Sequence, residues 1–325
     1  MEIIELRHPH SINQQDLPPI AIALGYFDGV HLGHRKVIMT AKEKAEQLGY
    51  KSAVMTFYPH PSVVLRKSSG HAACITSISD KVEEIRKLGI DYLFIIDFTP
   101  SFAELLPQQF VDQYIIGLHV KHVVAGFDYT YGRLGKGTME TLPFHSRSQF
   151  TQTVVDKVVE KDEKVSSTLI RELILSGQVD ILPSYLGRYY RVKGSVIHGE
   201  KRGRTIGFPT ANIEMTAPYI LPATGVYAVC INVLGSWYNG VLNIGYKPTF
   251  HDPDSVRLSI EVHIIDFNES IYDEEVEIMW IKRIRAEQKF NSIEQLIEQI
   301  QNDKEEANRY LEIIKGEKLA FCLKQ

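Results

Sequence analysis

Cysteine is scarce. The three in 325 residues (Cys74, Cys230 and Cys322) are too few and too scattered for a disulfide framework or a cysteine-based zinc site. No stretch approaches the roughly 18 apolar residues of a membrane-crossing helix, and the opening MEIIELRHPH lacks the basic start and apolar core of a signal peptide. An excess of basic charge is missing too: 36 Lys and Arg against 40 Asp and Glu give a net charge of −4. That balance argues against a general nucleic-acid binder. No internal repeat or low-complexity tract is visible. A composition of 44% hydrophobic and 23% charged residues excludes fibrous and disordered classes. What is left is a soluble cytoplasmic protein with neither a membrane nor a nucleic-acid partner. At roughly 150 residues per domain, its length favours two domains.

The first half alternates apolar runs with helical patterns. Ile20–Leu24 (IAIAL) is an unbroken apolar run closed by Gly25, as expected of a strand buried on both faces of a parallel sheet. A helix follows, with Val37, Ile38, Ala41, Ala45 and Leu48 on one face and Gly49 as its stop. Ser52–Phe57, Tyr92–Ile96 and His119–Ala125 read as further strands. Asp80–Leu88 and a segment through Phe110 and Tyr114 read as helices between them. This alternation predicts an open, mostly parallel α/β sheet, whose ligands sit beyond the carboxyl ends of the strands. After about Leu186 the texture changes to β-rich runs (Tyr189–Ile197, Gly225–Val233, Trp237–Ile244 and Arg257–Ile265) separated by Gly, Pro, Asn and Asp. They predict an antiparallel barrel or sandwich. One amphipathic helix, from Ser292 to about Ile314, closes the chain, with Ser292 and Gln295 spaced for a capping box. The boundary falls near Leu182–Arg188, giving domains 1–186 and 187–325.

The densest cluster of the first half is GYFDGVHLGH, Gly25–His34, between the first strand and the first helix. Glycines there let the backbone approach a ligand, and a helix N-terminus offers N–H groups and positive dipole to phosphate. His31 and His34 lie one turn apart and suit charge forming on a phosphorus; ordinary surface histidines would look the same. Zinc fits less well, because no third ligand stands nearby at zinc-site spacing. TFYPHP (Thr56–Pro61) ends the second strand, as a ligand loop or as a stiff proline turn. GFDYTYG (Gly126–Gly132) ends a later one, with Asp128 its one charged group. KVSSTLIR (Lys164–Arg171) brings Ser166, Ser167 and Thr168 to a helix start with Arg171 behind them, which is more than N-capping requires and suits a departing polyphosphate. GRLGKGT (Gly132–Thr138) fails the Walker A spacing and reads as a basic loop, in which Arg133 or Lys136 is a candidate phosphate contact.

In the second half, HGEKRGRTIGFPTAN (His198–Asn212) carries Gly199, Gly203 and Gly207 at four-residue spacing, a flexible flap or a plain loop. Thr210 and Asn212 point the same way on an extended segment. Their neutral oxygens suit Mg²⁺ that also holds nucleotide phosphates, although a turn would use the same residues. Along Arg257–Ile264, Leu258, Ile260, Val262 and Ile264 face one way, while Arg257, Ser259, Glu261 and His263 face the other. Glu261 is then either a base for an alcohol or part of a wet outer face.

A strand leading into HxGH, with a later Ser/Thr–Arg helix start, resembles the nucleotidylyltransferase superfamily. GYFDGVHLGH, TFYPHP, GFDYTYG and SSTLIR together resemble the FMN adenylyltransferase module of the prokaryotic bifunctional FAD synthetases. GRTIGFPTAN, PATGVYA, NIGYKPTF, EVHIIDF and RIRAEQKF resemble the riboflavin kinase domain of the same family. Tyr129 and Tyr131 stand where that family more often has phenylalanine. The resemblance implies a Rossmann-like nucleotidylyltransferase domain followed by a six-stranded Greek-key β-barrel with a terminal helix. It implies a nucleotide site of Gly25, Phe27, Asp28, Gly29, His31, His34, Asp128, Ser166, Ser167, Thr168 and Arg171, with the two histidines catalytic. In the barrel it implies nucleotide contacts at Gly203, Gly207, Pro209, Thr210 and Asn212, with Thr210 and Asn212 on Mg²⁺ and Glu261 the catalytic base. Flavin contacts are implied at Phe57, Pro59 and His60 in the first domain, and at Asn243, Glu261 and Arg285 in the second. The implied substrates are ATP, riboflavin and FMN, with FAD the product. Two other readings remain at this stage: a nucleotidylyltransferase with another substrate, and a flavin-binding regulator that keeps the fold without turnover. Neither the oligomeric state nor a role for the terminal GEKLAFCLKQ follows from the sequence.

Overall fold

The computed structural model describes residues 1–65, 73–199, 203, 206–248 and 256–317. Residues 200–202 and 204–205 of the glycine-rich segment, 249–250 of NIGYKPTF, and Cys322 with the rest of the terminal tail from 318 on lie outside the described residues. The chain divides into two units, Met1–Ser167 and Thr168–Gln325.

In the first unit, β1 (Glu2–Arg7), β2 (Ile20–Leu24), β3 (Lys51–Tyr58), β4 (Tyr92–Asp97) and β5 (Val120–Gly126) are followed by a short pair, β6 (Thr130–Tyr131) and β7 (Gly137–Thr138). Then come β8 (Thr151–Val155) and a second short pair, β9 (Val159–Glu160) and β10 (Glu163–Lys164). Six of these form one sheet in the order β1-β4-β3-β2-β5-β8, with every neighbouring pair parallel. All five residues of β2 are buried, which is why the run is apolar throughout rather than alternating. The helix Leu32–Leu48 covers one face of the sheet, with Val37, Ile38 and Ala41 in a core shared with Ala23, Val54, Leu93 and Val124. Gly49 ends that helix in the left-handed region (φ 69°). Leu48, expected on the buried face, is instead exposed as the last residue of the helix. The opposite face carries an aromatic core that includes Phe57, Phe94, Phe102, Phe110, Tyr114 and Tyr131. The chain order reverses between β2 and its neighbours β3 and β5, so the loop after β2 opens at the topological switch point where ligands of such sheets collect.

The second unit holds β11 (Tyr190–Ile197), β12 (Ala211–Met215), β13 (Gly225–Val233), β14 (Ser236–Pro248), β15 (Val256–Ile264) and β16 (Glu275–Arg285). They close into an antiparallel barrel in the order β11-β12-β15-β14-β13-β16. The hairpin-linked strands β13, β14 and β15 with β12 beside β15 make the Greek key. Val192, Leu242, Ile244, Val262, Ile278 and Trp280 are fully buried. The helix Ile293–Glu317 lays Ala307 and Leu311 on Ala228, Cys230, Met279 and Ile281. At its start Ser292 Oγ accepts from the Gln295 N–H (3.3 Å), but the Gln295 side chain accepts from the N–H of Asn291 (3.2 Å), so the expected reciprocal box is shifted by one residue. The division between units falls ahead of the Leu182–Arg188 boundary because Gly177 lies against Tyr227 and Arg283, and Lys282 pairs with Asp180 at 4.0 Å.

Candidate active sites

The loop after β2 is held in a conformation that few sequences adopt. Phe27 (φ 56°), Gly29 (φ 86°) and Val30 (φ 40°) are all left-handed. For the two non-glycines this costs on the order of 1–3 kcal/mol each, a strain that persists only where the surroundings over-determine it. Here both side chains are anchored in the core. Gly25 is required because a Cβ would stand 2.7 Å from the Phe27 ring. Asp28, 2% exposed, turns inward; its carboxylate accepts from the N–H groups of Ile75 (3.0 Å) and Thr76 (3.2 Å). Its carbonyl accepts from Ser167 Oγ at 3.0 Å. Asp28 therefore organises the loop, and Ser167, first residue of the helix Ser167–Leu175, is tied to that loop.

His31 caps the helix Leu32–Leu48: its Nδ1 accepts from the His34 N–H at 3.2 Å. A neutral His31 must then carry its proton on Nε2, where it can be donated to an anion. The two imidazoles stack at 3.5 Å and 16°, with Phe27 edge-on to His34 at 5.2 Å. Burial first, and then the neighbouring His31 and Lys81 charges, hold His34 well below the usual histidine range. The Nε2–H of His31 and a neutral His34 at a helix N-terminus make a donor site for phosphate.

Around this centre, His60 stands edge-on to Tyr26 at 4.3 Å and takes the Ser62 hydroxyl on Nδ1 at 2.7 Å. Pro59 beside it is partly buried. Phe57, expected to touch flavin, points into the aromatic core against Phe98 and Phe102. Asp128 is exposed and paired with Lys164 at 2.7 Å. The Tyr131 hydroxyl meets His145 Nδ1 at 2.8 Å within the core, and burial pushes the Tyr129 hydroxyl up. Arg133 pairs with Glu104 at 3.0 Å, whereas Lys136 is exposed. Thr168 and Arg171 lie on the helix that Ser167 begins, across the division between the units.

In the barrel, strand register does the assembling. Glu261 on β15 is directly opposite Asn212 on β12 and Asn243 on β14, so the three side chains share one face. It is the outer face, since Ile260 and Val262 on either side of Glu261 are buried. Thr210 Oγ1 donates to Glu261 Oε2 at 3.1 Å, and His263 Nδ1 lies 2.9 Å from the Pro209 carbonyl, which pins the PTAN segment across β15. Gly203 lies against it: Phe208 N–H donates to the Gly203 carbonyl at 2.9 Å, and Gly207 is left-handed (φ 89°). The Asn212 amide lies on Gly199, where a Cβ would come within 2.5 Å of its Cγ. Arg285, expected at the flavin, is held by Asp303 through its Nε (2.9 Å) and Nη2 (2.8 Å). A hydroxyl, an amide and a carboxylate converge here, all hard oxygen donors of the kind Mg²⁺ takes when it arrives with nucleotide phosphates. Among the described residues, no three His, Cys, Asp or Glu side chains gather to hold a metal by themselves.

One residue escaped the sequence reading. Lys81, 2% exposed, donates to the Tyr26 carbonyl at 2.7 Å and to Thr56 Oγ1 at 3.3 Å. Its neighbours Asp80, Glu83, Glu84 and Arg86 make the segment look like a solvated helix face.

The FAD synthetase family model matches residues 13–169, and the riboflavin kinase family model matches residues 186–311. The chain belongs to the bifunctional riboflavin kinase/FMN adenylyltransferase family. Proteins of that name from Bacillus subtilis and Listeria monocytogenes are 52% and 47% identical over 310 residues, each alignment covering 95% of this chain and 98% of the relative. The structure described as a macrolide-efflux protein from Streptococcus pneumoniae is 34% identical, with a TM-score of 0.84 over 94% of this chain and 99% of that one. The two matched domains follow the order of the two folds, with the parallel sheet first and the barrel second. No helix among the described residues is long and apolar enough to cross a membrane.

Proposed function

We propose that the two reactions of this family divide between the two sites as follows, in residues 1–186 and 187–325. In the barrel, Glu261 takes the proton of the ribityl 5′-hydroxyl of riboflavin, the freed oxygen attacks the γ-phosphorus of ATP, and FMN and ADP leave. Asn212 and Asn243 flank Glu261 on the adjacent strands and orient the reacting groups, with Gly203, Gly207 and Pro209 shaping the nucleotide side. Thr210 and Asn212 hold Mg²⁺, which supplies neutralising charge to the phosphates. The observation that carries the reading is the convergence of Thr210, Asn212, Asn243 and Glu261 on one face.

In the first domain a phosphate oxygen of FMN attacks the α-phosphorus of a second ATP, forming FAD and releasing pyrophosphate. The nucleophile is already ionised, so the site needs no strong base; it must bring two anions together and absorb charge. His31 and His34 donate to the α-phosphate at the helix N-terminus. Gly25, Phe27, Asp28 and Gly29 shape the cradle, and the helix start with Ser166, Ser167, Thr168 and Arg171 receives the departing pyrophosphate. Asp128 orients nucleotide or flavin, with Pro59 and His60 on the flavin side. Phe57, packed on Phe98 and Phe102, and Arg285, held by Asp303, belong to the flavin sides of the two sites in this reading. The reading makes the protein cytoplasmic, with small-molecule partners only. Supplying FMN, ATP and Mg²⁺ without riboflavin tests the first-domain half: FAD and pyrophosphate should form in equal amounts, and their absence would refute that assignment.

A further inference from the structure

We propose that Lys81 is a positioning residue for adenylyl transfer, tying the main chain at Tyr26, in the histidine loop, to Thr56 at the end of β3. This rests on the adenylyltransferase reading of that loop. The Lys81 ammonium, the Thr56 hydroxyl and the Tyr26 carbonyl close a triangle: Lys81 donates to both partners, and Thr56 Oγ1 also donates to the Tyr26 carbonyl at 2.8 Å. The ammonium also sits 4.0 Å from the centre of the Tyr26 ring, a cation–π contact strengthened by burial. Tyr26 in turn carries His60, and the strained turn from Phe27 to Val30 leads from it to His31. Movement at the Tyr26 carbonyl would therefore reach both sides of the site.

A lysine this buried, with no ion pair among the described residues, is costly, and a methionine of similar shape would serve a purely structural role as well or better. Facing Lys81 are Asp28 from the loop, His34 from the first turn of the helix Leu32–Leu48, Thr56 from β3 and Cys74 from the segment before its own helix. Glu84, one turn further along, is taken by Arg35 (2.7 Å) and Lys87 (2.8 Å). Burial brings the Lys81 ammonium down to about 8, with Asp28 and Cys74 opposing the shift. The same positive charge helps keep His34 neutral. Its loss at alkaline pH would loosen the Tyr26 anchor, while His34 stays neutral there.

The test uses the full chain, with FMN, ATP and Mg²⁺, from about pH 6.5 to 9.5. Wild-type FAD formation should fall on the alkaline side with a midpoint near pH 8, and Lys81→Arg should move that limb upward by about one pH unit or more. Lys81→Met should lower kcat by about tenfold or more while leaving both KM values within about threefold. Its melting temperature should be unchanged or higher, and its riboflavin phosphorylation unchanged. An alkaline limb unmoved in Lys81→Arg, or a kcat within about twofold in Lys81→Met, would overturn the inference. Should Lys81→Met fail to fold, the Lys81→Arg profile decides. A wild-type chain that makes no FAD at all would defeat the underlying reading instead.

Discussion

His31 Nδ1 accepts the main-chain N–H of His34 at 3.2 Å while the two rings stack at 3.5 Å. One histidine thus caps the helix that carries the other, and the bond leaves His31 Nε2–H as the donor. In the proposed adenylyl transfer, helix capping and phosphate recognition use different nitrogens of the same ring.

His31→Ala and His34→Ala should each lower FAD formation from FMN by about 10²–10³-fold, the cost of one lost donor to developing charge. Riboflavin phosphorylation by the same variants should stay at the wild-type rate. Parallel assays of the two half-reactions check this, and equal loss of both would contradict the assignment to separate sites.

Glu261→Gln keeps the size of the side chain, and can still meet Thr210, but removes the base. FMN formation should drop by about 10²–10⁴-fold, with FAD still made when FMN is supplied. A variant with wild-type kinase rates would return Glu261 to the status of a solvated strand residue.

Much of the first unit was legible in the sequence because local and global signals agree there. The run Ile20–Leu24 is a doubly buried strand with the boundaries expected, and Gly49 stops the helix where it should. Strand β1 was missed because it is an edge strand with Glu2, Glu5 and Arg7 turned outward, and β8 because Thr151–Val155 shows only weak alternation. Strand β16 hides for another reason: the terminal helix covers Met279 and Ile281 while Trp280 points inward. With both faces apolar, period-two alternation disappears. The PTAN–Glu261 cluster was legible as two motifs, but only the register of β12, β14 and β15 brings Asn212 and Asn243 to either side of Glu261. Lys81 gave no signal, since its burial is imposed by Tyr26 and Thr56, distant in the chain. The ring of Phe57, last of the six consecutive buried residues of β3, packs on Phe98 and Phe102, which the sequence does not show.

The Arg285–Asp303 pair makes a stability prediction for the barrel. Asp303 is 3% exposed and binds the guanidinium through two nitrogens. Asp303→Ala leaves a largely buried guanidinium unpaired and should cost about 3–5 kcal/mol. Urea denaturation monitored by the fluorescence of the two barrel tryptophans, Trp237 and Trp280, should report the loss, and kinase activity should fail at lower denaturant than FAD formation from FMN. An unchanged midpoint would show that the pair contributes nothing net.

Acid stability should depend on His122. Its ring lies between the Thr151 and Thr153 hydroxyls at 2.7 and 2.9 Å, and burial, aided by Lys44, lowers its pKa below the ordinary histidine value of 6.5. A depressed histidine pKa means that the unfolded chain binds the proton first, so stability is full above 6.5 and falls as pH drops toward the folded value. His34, shifted the same way, adds to this slope. The melting temperature of the first unit should therefore fall between about pH 7 and 5, and His122→Gln should flatten part of that fall. A wild-type slope in the variant would show that His122 is not the group titrating.

The most direct test incubates the full chain with riboflavin, ATP and Mg²⁺ and separates riboflavin, FMN and FAD by their fluorescence over time. FMN should appear first and FAD follow from it, both made by one polypeptide. FMN that accumulates without any FAD, or riboflavin that stays unchanged, would contradict the account of two active sites on this chain.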